Sequence, residues 1–186
     1  MIVCPPFTLL EFVKDYIGKL EIDISVGAQD ISPFGQGAST GEVSGAEIKE
    51  FADYVIIGHS ERREKFNEDD ELLTLKLKQA LSSGLTPIFC VSDENQFLPL
   101  KTLQEESFLV AYEPISAIGT GNPDTPQNAS RMAEKIKGIG DFEILYGGSV
   151  NEENVSEFTR AERISGVLVG GASLSAIEFL GVINNG

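Results

Sequence analysis

The sequence predicts an α/β protein built on a parallel sheet, and three observations predict it. Seven short apolar runs recur along the chain, each closed by a glycine-rich or polar turn. The runs are apolar at consecutive positions rather than alternating, the habit of strands buried on both faces. Between them the apolar residues switch to helical spacing. This alternation continues from end to end without a polar linker, so residues 1–186 are expected to form a single domain. Strand–helix units of roughly 20–30 residues suit two architectures, an open doubly wound sheet and a closed (β/α) barrel. Glycine-rich turns follow several different strands rather than the first alone, and this favours the barrel, whose site collects from many strand ends.

The strand candidates are residues 2–4, 24–28, 54–58, 87–91, 108–112, 143–146 and 166–169. Leu9, Phe12, Val13, Tyr16 and Ile17 follow the i, i+3, i+4, i+7, i+8 rule of a helix. Leu73, Leu77, Ala80 and Leu81 mark a second helix that Gly84 ends, and Ala129, Met132, Ala133 and Ile136 mark a third, with Pro126 suited to its first turn.

Composition narrows the functional classes. A formal net charge of −15 repels nucleic-acid phosphates and anionic membrane surfaces, so neither is expected as a general partner. A small anionic ligand stays open, provided backbone N–H groups supply a local site. Cys4 and Cys90 give no disulfide framework, and no Cys/His cluster suggests a metal. The N-terminal segment lacks a basic region and meets Pro5 and Pro6, unlike a signal peptide, and no apolar run approaches the roughly 20 residues of a membrane span. A cytoplasmic protein is the expectation.

Three segments carry possible chemistry. Ile57-Gly58-His59-Ser60-Glu61-Arg62-Arg63 puts the only histidine at the carboxyl end of a strand, where it could polarise a carbonyl. Taken alone, the segment reads more readily as a backbone-satisfied histidine beside a surface ion-pair network of Glu61, Arg62 and Arg63. Ala111-Tyr112-Glu113-Pro114 ends another strand in a carboxylate and leads to Ala117-Ile118-Gly119-Thr120-Gly121, which suits a carbon-acid base under a closing loop, or simply a strand stop and a glycine turn. Tyr146-Gly147-Gly148-Ser149-Val150 and Leu168-Val169-Gly170-Gly171-Ala172 each run from a strand into a glycine pair. Such pairs admit a phosphate to backbone N–H groups, or allow close strand–helix packing.

Taken in order, CPPFTLL, GAQD, TGEVS, IIGHSERR, PIFCV, AYEP with AIGTG, ILYGGSV and GVLVGGASL resemble the triosephosphate isomerases from Met1 to about Leu180. The resemblance implies a TIM (β/α) barrel, here with about seven parallel strands, that interconverts dihydroxyacetone phosphate and glyceraldehyde 3-phosphate without a cofactor or metal. By position, Glu113 resembles the base, His59 the neutral electrophile and Glu61 its supporting glutamate. Gly119, Ser149, Gly170 and Gly171 would offer N–H groups to the phosphate. The segment Gly35 to Gly45 resembles the loop that reaches into a neighbouring subunit, which implies a homodimer.

The sequence also departs from the family. Met1 falls where the family's second strand begins, so the first βα unit and the lysine that ends its strand have no counterpart, and Lys14 and Lys19 belong to the following helix. A missing preorganised cation implies impaired turnover, since one lost oxyanion donor costs about 2.7–4 kcal/mol in the transition state. Residues 93–108 form a shorter stretch than the family's, Ser92-Asp93 replaces Gly-Glu, and Ser116 replaces a tryptophan. Three readings follow: a working isomerase, a non-catalytic relative that keeps a phosphate pocket, or a truncated form of a complete enzyme.

Overall fold

The computed structural model describes residues 1–117 and 123–186, in two compact units, Met1–Phe89 and Cys90–Gly186. The boundary falls inside the strand Thr86–Val91.

The first unit holds β1 (Ile2–Val3), β2 (Ser25–Ala28), β3 (Tyr54–Ile57) and the first residues of β4 (Thr86–Val91), paired in parallel and in chain order. Ile57 lies opposite Phe89 and Val55 opposite Pro87. Pro87, the second residue of its strand, has no N–H to give the ladder. Between strands run α1 (Leu10–Leu20), α2 (Gly45–Lys49), α3 (Ser60–Phe66) and α4 (Asp70–Ser82). Ser44 and Glu47 form a reciprocal capping box at the start of α2. Asp69 caps α4, whose Leu73, Leu77 and Ala80 are buried with Val55, Ile57 and Phe89.

The apolar stripe read at Leu9, Phe12, Val13, Tyr16 and Ile17 does form a helix, α1, yet much of it stays uncovered. Phe12 is 66% exposed and stacks on Tyr16, itself exposed, at 6.0 Å, while Leu10 is the buried residue of the helix. Periodicity identifies an amphipathic helix; it does not supply the surface that covers it.

A charged cluster sits within this unit. Lys76 is 3% exposed, and its ammonium lies 2.6 Å from both Glu68 Oε1 and Asp30 Oδ1. Arg62 adds contacts of 2.8 Å to the same two carboxylates. Burial alone would push the Glu68 carboxyl upward, but hydrogen bonds and charge from Arg62 and Lys76 together hold it below the usual range.

The second unit holds the end of β4, then β5 (Leu109–Tyr112), β6 (Glu143–Tyr146) and β7 (Gly166–Val167), again parallel and in chain order. Its helices are α5 (Leu98–Thr102), α6 (Pro126–Lys137), α7 (Val155–Thr159) and α8 (Ala176–Asn185). The short stretch 93–108 becomes a 3-10 turn, Glu94–Gln96, and the five-residue α5. Thr125 caps α6, Pro126 occupies its first turn, and Ala129, Ala133 and Ile136 are buried as their spacing predicts. Tyr146 stacks on Phe158 of α7 at 3.8 Å, and Phe108 meets Phe142 at 4.8 Å. Only Val182 of α8 is buried; Ile177, Leu180 and Ile183 face outward, and Leu174 before them is 90% exposed.

Neither unit contains a reversal of strand order. The open doubly wound alternative needs such a switch point, so the sequential order selects the barrel class of connection.

The charged cluster gives a test of stability. Lys76→Met removes the ammonium and leaves Glu68 and Asp30 to share Arg62, so urea unfolding is expected to show a loss of about 3–5 kcal/mol. A loss below about 0.5 kcal/mol, the level of an indifferent surface change, contradicts this account.

Candidate functional site

In a parallel sheet every strand points the same way, so residues just past the carboxyl ends collect on one side of the ladder. In the first unit these are Gln29 and Asp30 after β2, and Gly58 and His59 after β3. Gly58 has φ +75, a left-handed conformation that turns the chain sharply from β3 into α3. An added Cβ there would lie 3.1–3.3 Å from Phe89, Leu73 and Arg63, so both backbone and space restrict the position to glycine.

The turn delivers His59 to the position before the first residue of α3, where its ring Nδ1 accepts the Glu61 N–H at 3.3 Å. A nitrogen that accepts carries no proton, so in this arrangement the ring hydrogen lies on Nε2. Glu61 is therefore tied to His59 through its backbone, while its side chain is exposed and 3.8 Å from Lys65. The two arginines do not form the surface network that the motif suggests. Arg62 joins the Lys76 cluster; Arg63 donates from Nε to the Gly58 carbonyl at 2.9 Å and from Nη1 to Asp70 at 2.9 Å. Arg63 thus clasps the turn that carries His59, a role the sequence motif alone does not distinguish from a surface ion pair.

In the second unit, Glu113 follows β5 and is 2% exposed. Its N–H donates to the Val91 carbonyl at 2.8 Å, and the preceding carbonyl of Tyr112 accepts from the Gly147 N–H at 2.8 Å. The Glu113 side chain also touches Gly147. A Cβ on Gly147 would lie 2.8 Å from Glu113 Cγ, and one on Gly148 would lie 2.0 Å from the Tyr146 hydroxyl. The first glycine pair is therefore a packing device. Gly170 and Gly171 differ, because an added Cβ at either meets nothing within 4 Å and both are exposed. The backbone there is open to approach from outside, as an anion cradle requires.

Ser149 N–H donates to the Ala117 carbonyl at 3.1 Å, and its hydroxyl donates to the same oxygen at 2.6 Å. To serve an anion, this N–H must exchange its partner. Gly119 lies outside the described residues. The second unit thus brings Glu113, Ser149, Gly170 and Gly171 to the carboxyl ends of three adjacent strands, while His59 and Glu61 belong to the first unit. Among the described residues, no group of three or more His, Cys, Asp or Glu side chains is placed to hold a metal.

One further residue in the second unit was not singled out by the motifs. Asp124, just before the α6 cap, accepts from the hydroxyl of Tyr112 at 3.2 Å on Oδ2, and its own N–H donates to the hydroxyl of Tyr146 at 2.8 Å. Its only sequence signal is the Asp-Thr-Pro start of a helix, which points to capping and not to the strands.

Parallel strands wound in chain order, with a buried carboxylate, an imidazole and open glycines at their carboxyl ends, define a protein of the (β/α)-barrel class. The sequence model of the family described as triosephosphate isomerase matches residues 1–186. The triosephosphate isomerase of Trichodesmium erythraeum (strain IMS101) is 40% identical over 204 residues, covering 99% of this chain and 83% of the relative. That of Alkaliphilus metalliredigens (strain QYMF) is 40% identical over 213 residues, covering 99% and 85%. That of Chloroflexus aurantiacus (strain ATCC 29366 / DSM 635 / J-10-fl) is 41% identical over 212 residues, covering 98% and 84%. The chain belongs to the triosephosphate isomerase family.

The contact between Gly147 and Glu113 is testable without any substrate. Gly147→Ala is expected to displace the Glu113 side chain, seen as a shift of its 13C carboxyl resonance, while the far-UV circular dichroism keeps its parallel α/β form. An unmoved resonance shows that Gly147 does not confine the carboxylate.

Proposed function

We propose that this chain interconverts dihydroxyacetone phosphate and glyceraldehyde 3-phosphate, with Glu113 as the base that carries a proton between the two carbons. The observation that carries the reading is a family match along the whole chain combined with a buried glutamate at the end of β5. Burial away from water strengthens a carboxylate as a base toward carbon. Glu113 takes a proton from C1 of the ketone and returns it to C2 of the enediol intermediate, while the hydroxyl proton passes between the two oxygens. His59 donates from Nε2–H to those oxygens, stabilising the charge that develops there, and Glu61 steadies the ring through its N–H on Nδ1. The N–H groups of Gly119, Ser149, Gly170 and Gly171 hold the phosphate, and no cofactor or metal takes part.

The alternative reading is a phosphate-binding relative without catalysis.

The reading extends to a homodimer in the cytoplasm. Phe34 is exposed beside the segment Gly35 to Gly45, and α1 and α8 carry open apolar residues; such surfaces favour burial against a second copy. Among the described residues no helix is long and apolar enough to cross a membrane. Sedimentation at several concentrations is expected to show a dimer, and a monomer throughout excludes that assembly.

Glu113→Gln separates the two functional readings. It is expected to lower isomerase turnover by about 10²–10⁴-fold, the usual contribution of a positioned base, while calorimetry shows a phosphate-bearing triose analogue bound nearly as before. Turnover unaffected by the substitution disproves the role of Glu113. Analogue binding by a parent chain that has no turnover favours the phosphate-binding relative.

A further inference from the structure

Asp124 is half-buried, and each of its polar groups is engaged on a different element. Oδ2 accepts from the hydroxyl of Tyr112, Oδ1 accepts from the Thr125 N–H at 2.7 Å and from Asn128 Nδ2 at 2.9 Å, and the Asp124 N–H donates to the hydroxyl of Tyr146. Tyr112 and Tyr146 are paired directly across β5 and β6, with ring centroids 6.4 Å apart. One residue therefore ties the start of α6 to the last residues of two strands.

Those strand residues immediately precede Glu113 and the Gly147-Gly148-Ser149 turn. The peptide joining Tyr112 to Glu113 is held on both sides, by the Gly147 N–H on the Tyr112 carbonyl and by the Val91 carbonyl on the Glu113 N–H. Two ladder bonds on opposite sides fix its position and leave freedom only to tilt about the line that joins them. Successive side chains of an extended backbone leave on opposite faces, so a bond that anchors the Tyr112 hydroxyl sets the tilt with which Glu113 departs on the other side.

We propose that Asp124, acting through the Tyr112 hydroxyl, is a positioning residue for the Glu113 carboxylate. The inference rests on the isomerase reading of Glu113, and it assigns Asp124 a task beyond supporting the start of α6. Both phenols stay protonated in the physiological range: burial first, and then the neighbouring Asp124, push Tyr112 upward, and burial pushes Tyr146 to about 12. Tyr112 accordingly remains a donor to the carboxylate, and the brace holds across the range in which a glutamate base works.

The test uses Tyr112→Phe, Asp124→Ala and the double variant of the full chain, each checked for folding by circular dichroism. Tyr112→Phe removes only the hydroxyl and leaves the α6 cap in place. A carboxylate misplaced by about 1 Å can cost on the order of a hundredfold in rate. The expected result is a fall in kcat of about tenfold or more in both single variants, with KM little changed and the double variant no worse than Asp124→Ala. The 13C carboxyl resonance of Glu113 is expected to shift in both. If Tyr112→Phe keeps the parent kcat and resonance while Asp124→Ala loses only thermal stability, Asp124 merely supports the start of α6 and the proposal is overturned. If the parent chain shows no isomerase activity, the functional reading fails by itself, and the resonance alone decides the brace: shifted in both variants it stands, unshifted in Tyr112→Phe it falls.

Discussion

The hydrogen bond from the Glu113 N–H to the Val91 carbonyl extends the β4–β5 ladder one residue beyond the strand proper, and the fate of the carboxylate depends on it. Without it, the Glu113-Pro114 segment would leave the sheet as an ordinary loop. With it, a glutamate that gains nothing hydrophobic from burial is drawn into the interior, against the backs of β6 and its glycine turn. Gly147 follows from this geometry, since any side chain there would occupy the space of Glu113 Cγ. Tyr112, one residue earlier, is buried on the opposite face and needs a partner for its hydroxyl, which Asp124 supplies.

The first unit solves a parallel problem with charge. Its strand-end turn after β3 is left-handed at Gly58 and carries a polar ring, and Arg63 grips the turn by the Gly58 carbonyl. Arg62 and Lys76 are committed to Asp30 and Glu68. In a chain with 29 acidic and 14 basic residues, these cations are committed to neighbouring carboxylates, and the net field opposes any anion at long range. Under the proposed function, phosphate recognition must then come from backbone N–H groups at short range, a contact that net charge weakens little.

Much of the fold was legible because parallel strands buried on both faces write themselves as uninterrupted apolar runs. All seven were located, six with one end misjudged by one or two residues, mostly where apolar side chains such as Cys4, Ile24, Phe108, Leu168 and Val169 lie outside the ladder. Helices α4 and α6 were legible for the same reason, their apolar spacing being matched by real burial. Helix α1 was located but its exposure was not, since a sequence records which face is apolar and not what lies against it. At the site, His59 and Glu113 were visible as polar residues ending apolar runs. The distinction between the two glycine pairs was not, because Gly147 and Gly148 are required by Glu113 and Tyr146, while Gly170 and Gly171 have empty space beside them. Asp124 was hidden because its partners lie 12 and 22 positions away along the chain.

The protein has no tryptophan, so its near-ultraviolet spectrum belongs to four tyrosines with a small phenylalanine background. Two of those four, Tyr112 and Tyr146, are the phenols tied to Asp124, and both are buried in the second unit. A tyrosine whose hydroxyl donates to a carboxylate emits weakly, and a phenol packed flat on a phenylalanine, as Tyr146 is on Phe158, sits in an asymmetric field. Near-ultraviolet dichroism is therefore weighted toward the ends of β5 and β6, while emission is weighted away from Tyr112. The dichroism reports on the surroundings of Glu113 without any introduced label.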